Sequence, residues 1–195
     1  MRFLLLSTCL VSSVCVAEAS RAQGTTSSAA PVASSAPPPP ATKLEAFKPA
    51  AGSLVTFGYN ELGKIAGVSI DARELRDARG NIVRGVVVEV SQSQYRDETA
   101  FIDADELPEL LRGIDALLAL NANPTSFENF EVRYTTRGEL QITAFSSSSR
   151  RAISYLIRAG RITKAQVFTD ADGLRRLRAM FETAGQQLTA HSTPK

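Results

Sequence analysis

The sequence predicts an α+β fold made of two tandem copies of a four-stranded antiparallel sheet plus a closing helix, with the helices packed across the sheets. Three observations carry this. The phrase Phe101-Ile-Asp-Ala-Asp-Glu-Leu-Pro-Glu-Leu recurs 67 residues later as Phe168-Thr-Asp-Ala-Asp-Gly-Leu-Arg-Arg-Leu, and an internal repeat dictates architecture before any local propensity does. Short runs ahead of each phrase alternate apolar with polar residues, the period of a half-buried strand. After each phrase, leucines return at helical spacing.

The chain opens with an address. Arg2 precedes a mostly apolar stretch from Phe3 to Val16, and Ala17-x-Ala19 and Ser20-x-Ala22 offer two small-residue cleavage points. This is the pattern of a secretory signal peptide over residues 1–22, cleaved after Ala19 or Ala22, which places the protein outside the cell or in the periplasm. A spanning helix needs about 20 predominantly apolar residues, so no transmembrane segment is expected once the signal is gone. Both cysteines, Cys9 and Cys15, leave with it. The mature chain therefore has no disulfide, thiol nucleophile or cysteine-based metal site. Cleavage after Ala22 leaves 20 basic and 19 acidic residues of the original 22 and 20. That balance creates no global attraction to nucleic acid or membrane.

Residues 23–43 are mostly Ser, Thr, Ala and Pro, with Pro37-Pro-Pro-Pro40 near the end. Such a stretch cannot bury a core and reads as a disordered, extended tether. Residues 44–190 read as one globular domain, with the copies at about 53–120 and 127–188, and 191–195 as a disordered tail. In the first copy, Leu54 to Tyr59 and Gly67 to Leu75 are expected strands. Asp77-Ala-Arg-Gly-Asn81 is the turn into a Val-rich strand from Ile82 to Val90, and Thr99 to Asp103 is the fourth. In the second, Phe130, Val132 and Tyr134 alternate with polar residues, as do Leu140, Ile142 and Ala144 around a turn at Thr136-Arg-Gly138. Arg151 to Ile157 and Ile162 to Thr169 complete that sheet.

Leu107, Leu110, Leu111, Ile114, Leu117 and Leu118 form one helical stripe, and Leu174, Leu177, Phe181, Ala184 and Leu188 form the other. Neither can be buried alone, so each helix should lie across its sheet. Asp105 and Asp172 are the expected N-caps. Pro108, whose missing N–H costs nothing in a first turn, agrees with a cap at Asp105.

This element order resembles the Whirly and Pur-alpha type of architecture over most of residues 53–188. The resemblance implies binding of single-stranded nucleic acid along curved sheets. It transfers no site, because no signature residue of that type is present. The phrase itself is similar to small exported bacterial proteins of unassigned role.

Motifs of catalysis fail one at a time, so no catalytic residue is expected. The only histidine, His191, lies in the tail, which leaves no His-containing triad or metal site inside the fold. Gly58-Tyr-Asn-Glu-Leu-Gly63 lacks the Gly-Lys-Ser/Thr ending of a phosphate loop. Asp170-Ala-Asp172-Gly173, placed in a calcium loop's register, puts Phe168, Arg175 and Ala179 at positions that need other residues. Asp103, Asp105, Glu106 and Glu109 read as a solvated helix start rather than a cation site. No metal or cofactor is expected.

Charge is nevertheless uneven. Ten acidic residues face two basic ones between Glu89 and Glu131, and eight basic residues face two acidic ones between Arg150 and Arg178. The leading expectation is thus an exported, non-catalytic binding or interaction module. Its basic face (Arg150, Arg151, Arg158, Arg161, Lys164) or its sheet surfaces would engage a protein, an envelope polymer or, through opposite charges, another copy of itself. The alternative is a single-stranded nucleic-acid binder of Whirly-like fold, against which the export signal argues. An unrecognised hydrolase is third. Intact-mass measurement of exported material checks the address: the expected product starts at Ser20 or Gln23, and one that keeps Met1 or carries a lipid on Cys15 contradicts it.

Overall fold

The computed structural model describes residues 39–93, 96–121, 124–147 and 152–190, all within one folded unit. The segment expected to be a signal peptide, residues 23–38 of the expected tether, Arg150, Arg151 and residues 191–195 with His191 lie outside the described residues. A one-turn helix α1 (Lys43–Ala46) precedes four strands, β1 (Val55–Ile65), β2 (Val68–Asp77), β3 (Ile82–Ser93) and β4 (Arg96–Asp103). A 3-10 turn (Ala104–Glu106) leads into α2 (Leu107–Leu118). The second copy repeats the order with β5 (Glu131–Thr135), β6 (Gln141–Ser147), β7 (Ala152–Ala159), β8 (Ala165–Thr169) and α3 (Ala171–Ala190). Each set of strands is an antiparallel meander in sequence order.

Turn chemistry explains the boundaries. β1 runs to Ile65, past the expected end at Tyr59, because the chain reverses at Ala66 and Gly67 with φ of 49° and 83°. That is a primed two-residue hairpin turn, and Ala in its first position hides it from the sequence. At the next hairpin, the Asp77 carboxylate accepts the N–H groups of Arg79 and Asn81 at 2.9 Å each, and Gly80 takes φ 87°.

Alternation then sorts the faces. Val68, Ile70 and Ala72 of β2, Val86, Val88 and Val90 of β3, and Ala100 and Ile102 of β4 are buried on one side of the first sheet. Ile142 and Ala144, Tyr155, Ile157 and Ala159, and Ala165 do the same in the second. Both faces and both helices share one apolar cluster. The 67-residue offset survives in it: Leu107, Leu110, Ile114 and Leu117 are buried, and so are Leu174, Leu177, Phe181 and Ala184.

The helices pack across the sheets and reach beyond their own copy. α3 contacts β7 and β8 but also β1, β2 and β3, while α2 contacts α3, β5 and β6. A Cβ at Gly113 of α2 would stand 2.5 Å from the Tyr134 ring of β5, and one at Gly63 of β1 2.9 Å from Met180 Cε of α3. Asn60 Nδ2 of β1 donates to Gln187 Oε1 of α3 at 2.8 Å. The halves are therefore stitched into one core. No helix among the described residues is long and apolar enough to cross a membrane.

Truncating either helix stripe should be felt by the whole fold. Leu110→Ala and Leu177→Ala, at 0% and 1% exposure, are each expected to cost roughly 2–5 kcal/mol in denaturant unfolding. Unchanged midpoints in both variants would contradict this packing.

Candidate functional site

The repeated aspartates do not cap as the sequence suggests. α2 starts behind Glu106 with no side-chain cap bond, and Asp105 instead meets Lys43 Nζ at 3.2 Å and Arg137 Nη2 at 3.0 Å. The reason is the 3-10 turn, which places Asp105 inside a tight turn with its side chain outward. Asp172 is likewise displaced. α3 begins at Ala171, so the carboxylate of Asp170 accepts the Gly173 N–H at 2.8 Å, and Asp172 pairs with Arg175 one turn on. Asp103, the repeat partner of Asp170, caps a different helix. Only 1% exposed, it accepts the N–H of Lys43 at 3.0 and 2.9 Å and that of Leu44 at 3.3 Å, both in α1.

The folded chain accordingly begins before Leu44. Thr42 is 3% exposed and forms a reciprocal capping box with Glu45. Arg161 secures the same segment, donating to Pro39 O at 2.6 Å and lying 3.8 Å from Glu45.

Arg137, at the β5–β6 turn, is the hub of this corner. It lies against Asp105, against Glu106 (Nε to Oε2 3.3 Å) and 3.9 Å from Asp103. Its own N–H donates to Glu106 Oε1 at 2.7 Å. Beside it, Phe101 of β4 bridges to Gly138, where a Cβ would collide with Phe101 O. The Arg137 hydrogen bond, with help from Lys43, holds the Asp105 carboxyl below the usual aspartate value. Burial and the nearby Glu106 and Glu109 push the Tyr134 phenol up.

The three described residues of the expected basic face are engaged inside the chain. Arg158 donates to Gln166 Oε1 at 2.9 Å, Arg161 holds the N-terminal segment, and Lys164 meets Glu139 at 3.3 Å. Of the charge split, Arg178 on α3 closes onto Asp115 on α2 (Nη2 to Oδ2 3.0 Å), and that bond lowers the Asp115 carboxyl.

A different surface is partly open, with Arg133 and Phe168 exposed, Leu156, Arg158 and Gln166 half-buried and Thr143 buried. On the outer face of the second sheet, strand register aligns Arg133, Thr143, Leu156 and Phe168 in one row, and Gln141, Arg158 and Gln166 in the next. Phe168 is 63% exposed, with the Phe145 ring edge-on at 6.2 Å. The structure thus gathers Arg158 with an aromatic pair and leaves Arg161 and Lys164 elsewhere. The signal was in the sequence: Phe145 and Phe168 occupy the polar phase of their strands.

Among the described residues, no group of three or more His, Cys, Asp and Glu side chains is placed to hold a metal ion. No protein-family model matches the chain, and no curated protein is significantly similar to it.

Removing Arg137 leaves buried carboxylates of Asp103 and Glu106 without their cation. Arg137→Ala should cost roughly 1–3 kcal/mol, in the range of an uncompensated buried polar group. The acid limb carries a second signature. Because Asp105 titrates lower when folded, its contribution is whole above its ordinary value of 3.8 and fades as pH falls through the depressed one. Arg137→Ala should flatten that part of the stability–pH curve; an unchanged slope below pH 3.8 counts against the pairing.

Proposed function

We propose that this protein is an exported, non-catalytic binding module that meets its partner on the outer face of the second sheet. The observation that carries the reading is Phe168, 63% exposed beside Phe145 and sharing its face with Arg158 and Gln166. A large ring left in water has no folding rationale at this site. Flanked by a guanidinium and amides, it is the composition of a contact surface: aromatic area for burial, with polar groups for register. The signal pattern sends the module out of the cytoplasm, and the Pro-rich leader gives it reach. The partner class is a protein, an envelope polymer or a second copy of the chain.

A second reading uses the same face. Arg158 beside Phe168 is a cation next to a stackable ring, which also suits single-stranded nucleic acid. Near-neutral charge in the mature chain and the export signal weigh against it.

Phe168→Ala, at the exposed surface, and Arg158→Glu, at a half-exposed position, should leave thermal stability within about 1 kcal/mol of the parent. They should weaken co-sedimentation with isolated envelope polymer, or self-association in sedimentation velocity. A single-stranded oligonucleotide at physiological salt is expected not to bind; tight, salt-sensitive binding lost in Arg158→Glu would put the second reading first. If neither substitution alters any of these assays, the outer face is not the contact surface.

A further inference from the structure

Gly58, Asn60, Glu74 and Arg84 share the helix-facing side of the first sheet with the buried Ala72 and Val86. Every described glycine except Gly58 and Gly185 either has a positive φ or would bring a Cβ within 3.0 Å of a neighbour. Gly58 is the informative exception. It lies inside β1, in a stretch paired regularly with β2 from Val55 opposite Asp77 to Glu61 opposite Asp71, so no bulge demands it. A Cβ there would meet only Glu74, at 3.8 Å. Glycine weakens a strand, and where neither a bulge nor a bend explains it, close approach by a ligand or another backbone does.

What Gly58 opens onto is a recess of about 460 Å³ of mixed polar and apolar lining, within the range of small-molecule pockets. Gly58 and Ala72 line it with Asn60, Glu74 and Arg84 of the sheet and Gln187 at the end of α3. Arg84 Nε donates to Glu74 Oε2 at 2.7 Å, and Arg76 holds the other Glu74 oxygen at 3.2 Å. Burial raises the Glu74 carboxyl, but the two arginines outweigh it and keep it ionised. Two guanidiniums against one carboxylate leave a surplus positive charge. The Arg84 terminal amino groups make no hydrogen bond to another described residue, while Glu74 holds the guanidinium in place. On the rim, the Asn60–Gln187 bond uses one donor and one acceptor, leaving Asn60 Oδ1 and Gln187 Nε2 to face a ligand.

We propose that this recess binds a hydroxylated carboxylate the size of one sugar unit. The carboxylate sits against the Arg84 amino groups, whose planar fork matches it, and the hydroxyls bond to the Asn60 and Gln187 amides. The absent side chain of Gly58 makes the room. The site shares no residue with the Phe168 face, so either can fail without the other.

Calorimetric titration of the mature protein with glucuronate, glucose and a linear trigalacturonate tests it. Glucuronate should bind saturably and glucose at least about tenfold more weakly, because the charge-assisted contact is lost. Gly58→Leu fills the recess, and its Cβ meets Glu74 only at ordinary van der Waals distance, 3.8 Å, so its melting temperature should stay near that of the parent. It should weaken glucuronate binding at least about tenfold, as should Arg84→Gln. Trigalacturonate binding more tightly than glucuronate assigns the carboxylate to a polymer; equal or weaker binding assigns it to a free acid. Absence of binding by both acids, equal binding of glucose, or undiminished binding in Gly58→Leu overturns the proposal.

Discussion

Two apolar helix stripes must leave water, and that requirement organises the molecule. Leu107, Leu110, Ile114 and Leu117 on α2, and Leu174, Leu177, Phe181 and Ala184 on α3, all reach one apolar cluster that both sheets line. A fully buried leucine contributes about 1.5–3 kcal/mol relative to exposure. α3, at twenty residues, is longer than α2 at twelve. It extends beyond its own strands β7 and β8 onto β1–β3 of the first copy. The duplicated chain thereby shares one apolar core instead of two separate ones.

Polar ties also join the two copies. The corner where β4 turns into α2 gathers Asp103, Asp105 and Glu106 in sequence, a like-charge cluster with no local cation. Arg137 arrives from the β5–β6 turn to neutralise it, and Asp103 spends its remaining acceptor capacity on the N–H groups of α1. The acidic start of one copy's helix is thus the docking point both for the other copy and for the N-terminal segment. Much of the charge asymmetry along the sequence is consumed this way, including the Arg178–Asp115 pair between the helices.

The surface left over divides by chemistry. The outer face of the second sheet carries the exposed Phe168 ring beside Phe145, whereas the recess beside Gly58 is lined by Glu74, Arg84, Asn60 and Gln187. A ring at 63% exposure and a strand glycine with room for a side chain are both costs to the fold that nothing within the fold requires. They are two of the places, among the described residues, where this sequence departs from what stability alone would select.

The sequence by itself determined the duplication, the order of strands and helices, and the residues that would be buried, since Leu110 and Leu177 announce themselves by periods of 3.6 and by a shared phrase. These signals are local, and main-chain geometry converts them directly into faces. Strand ends were less legible: β1 outran its expected limit because Ala66, an unusual residue for a positive φ, forms half of its turn. The partners of polar side chains were not legible at all. Asp105 looked like a cap, and only the arrival of Arg137 from 32 positions away, and Lys43 from 62, made it a bridge. Arg161 looked like part of a binding face until the fold brought Pro39 and Glu45 to it. Apolar burial is non-directional and follows from periodicity, whereas a hydrogen bond needs a particular atom within about 3 Å, and that distance exists only once the chain has folded.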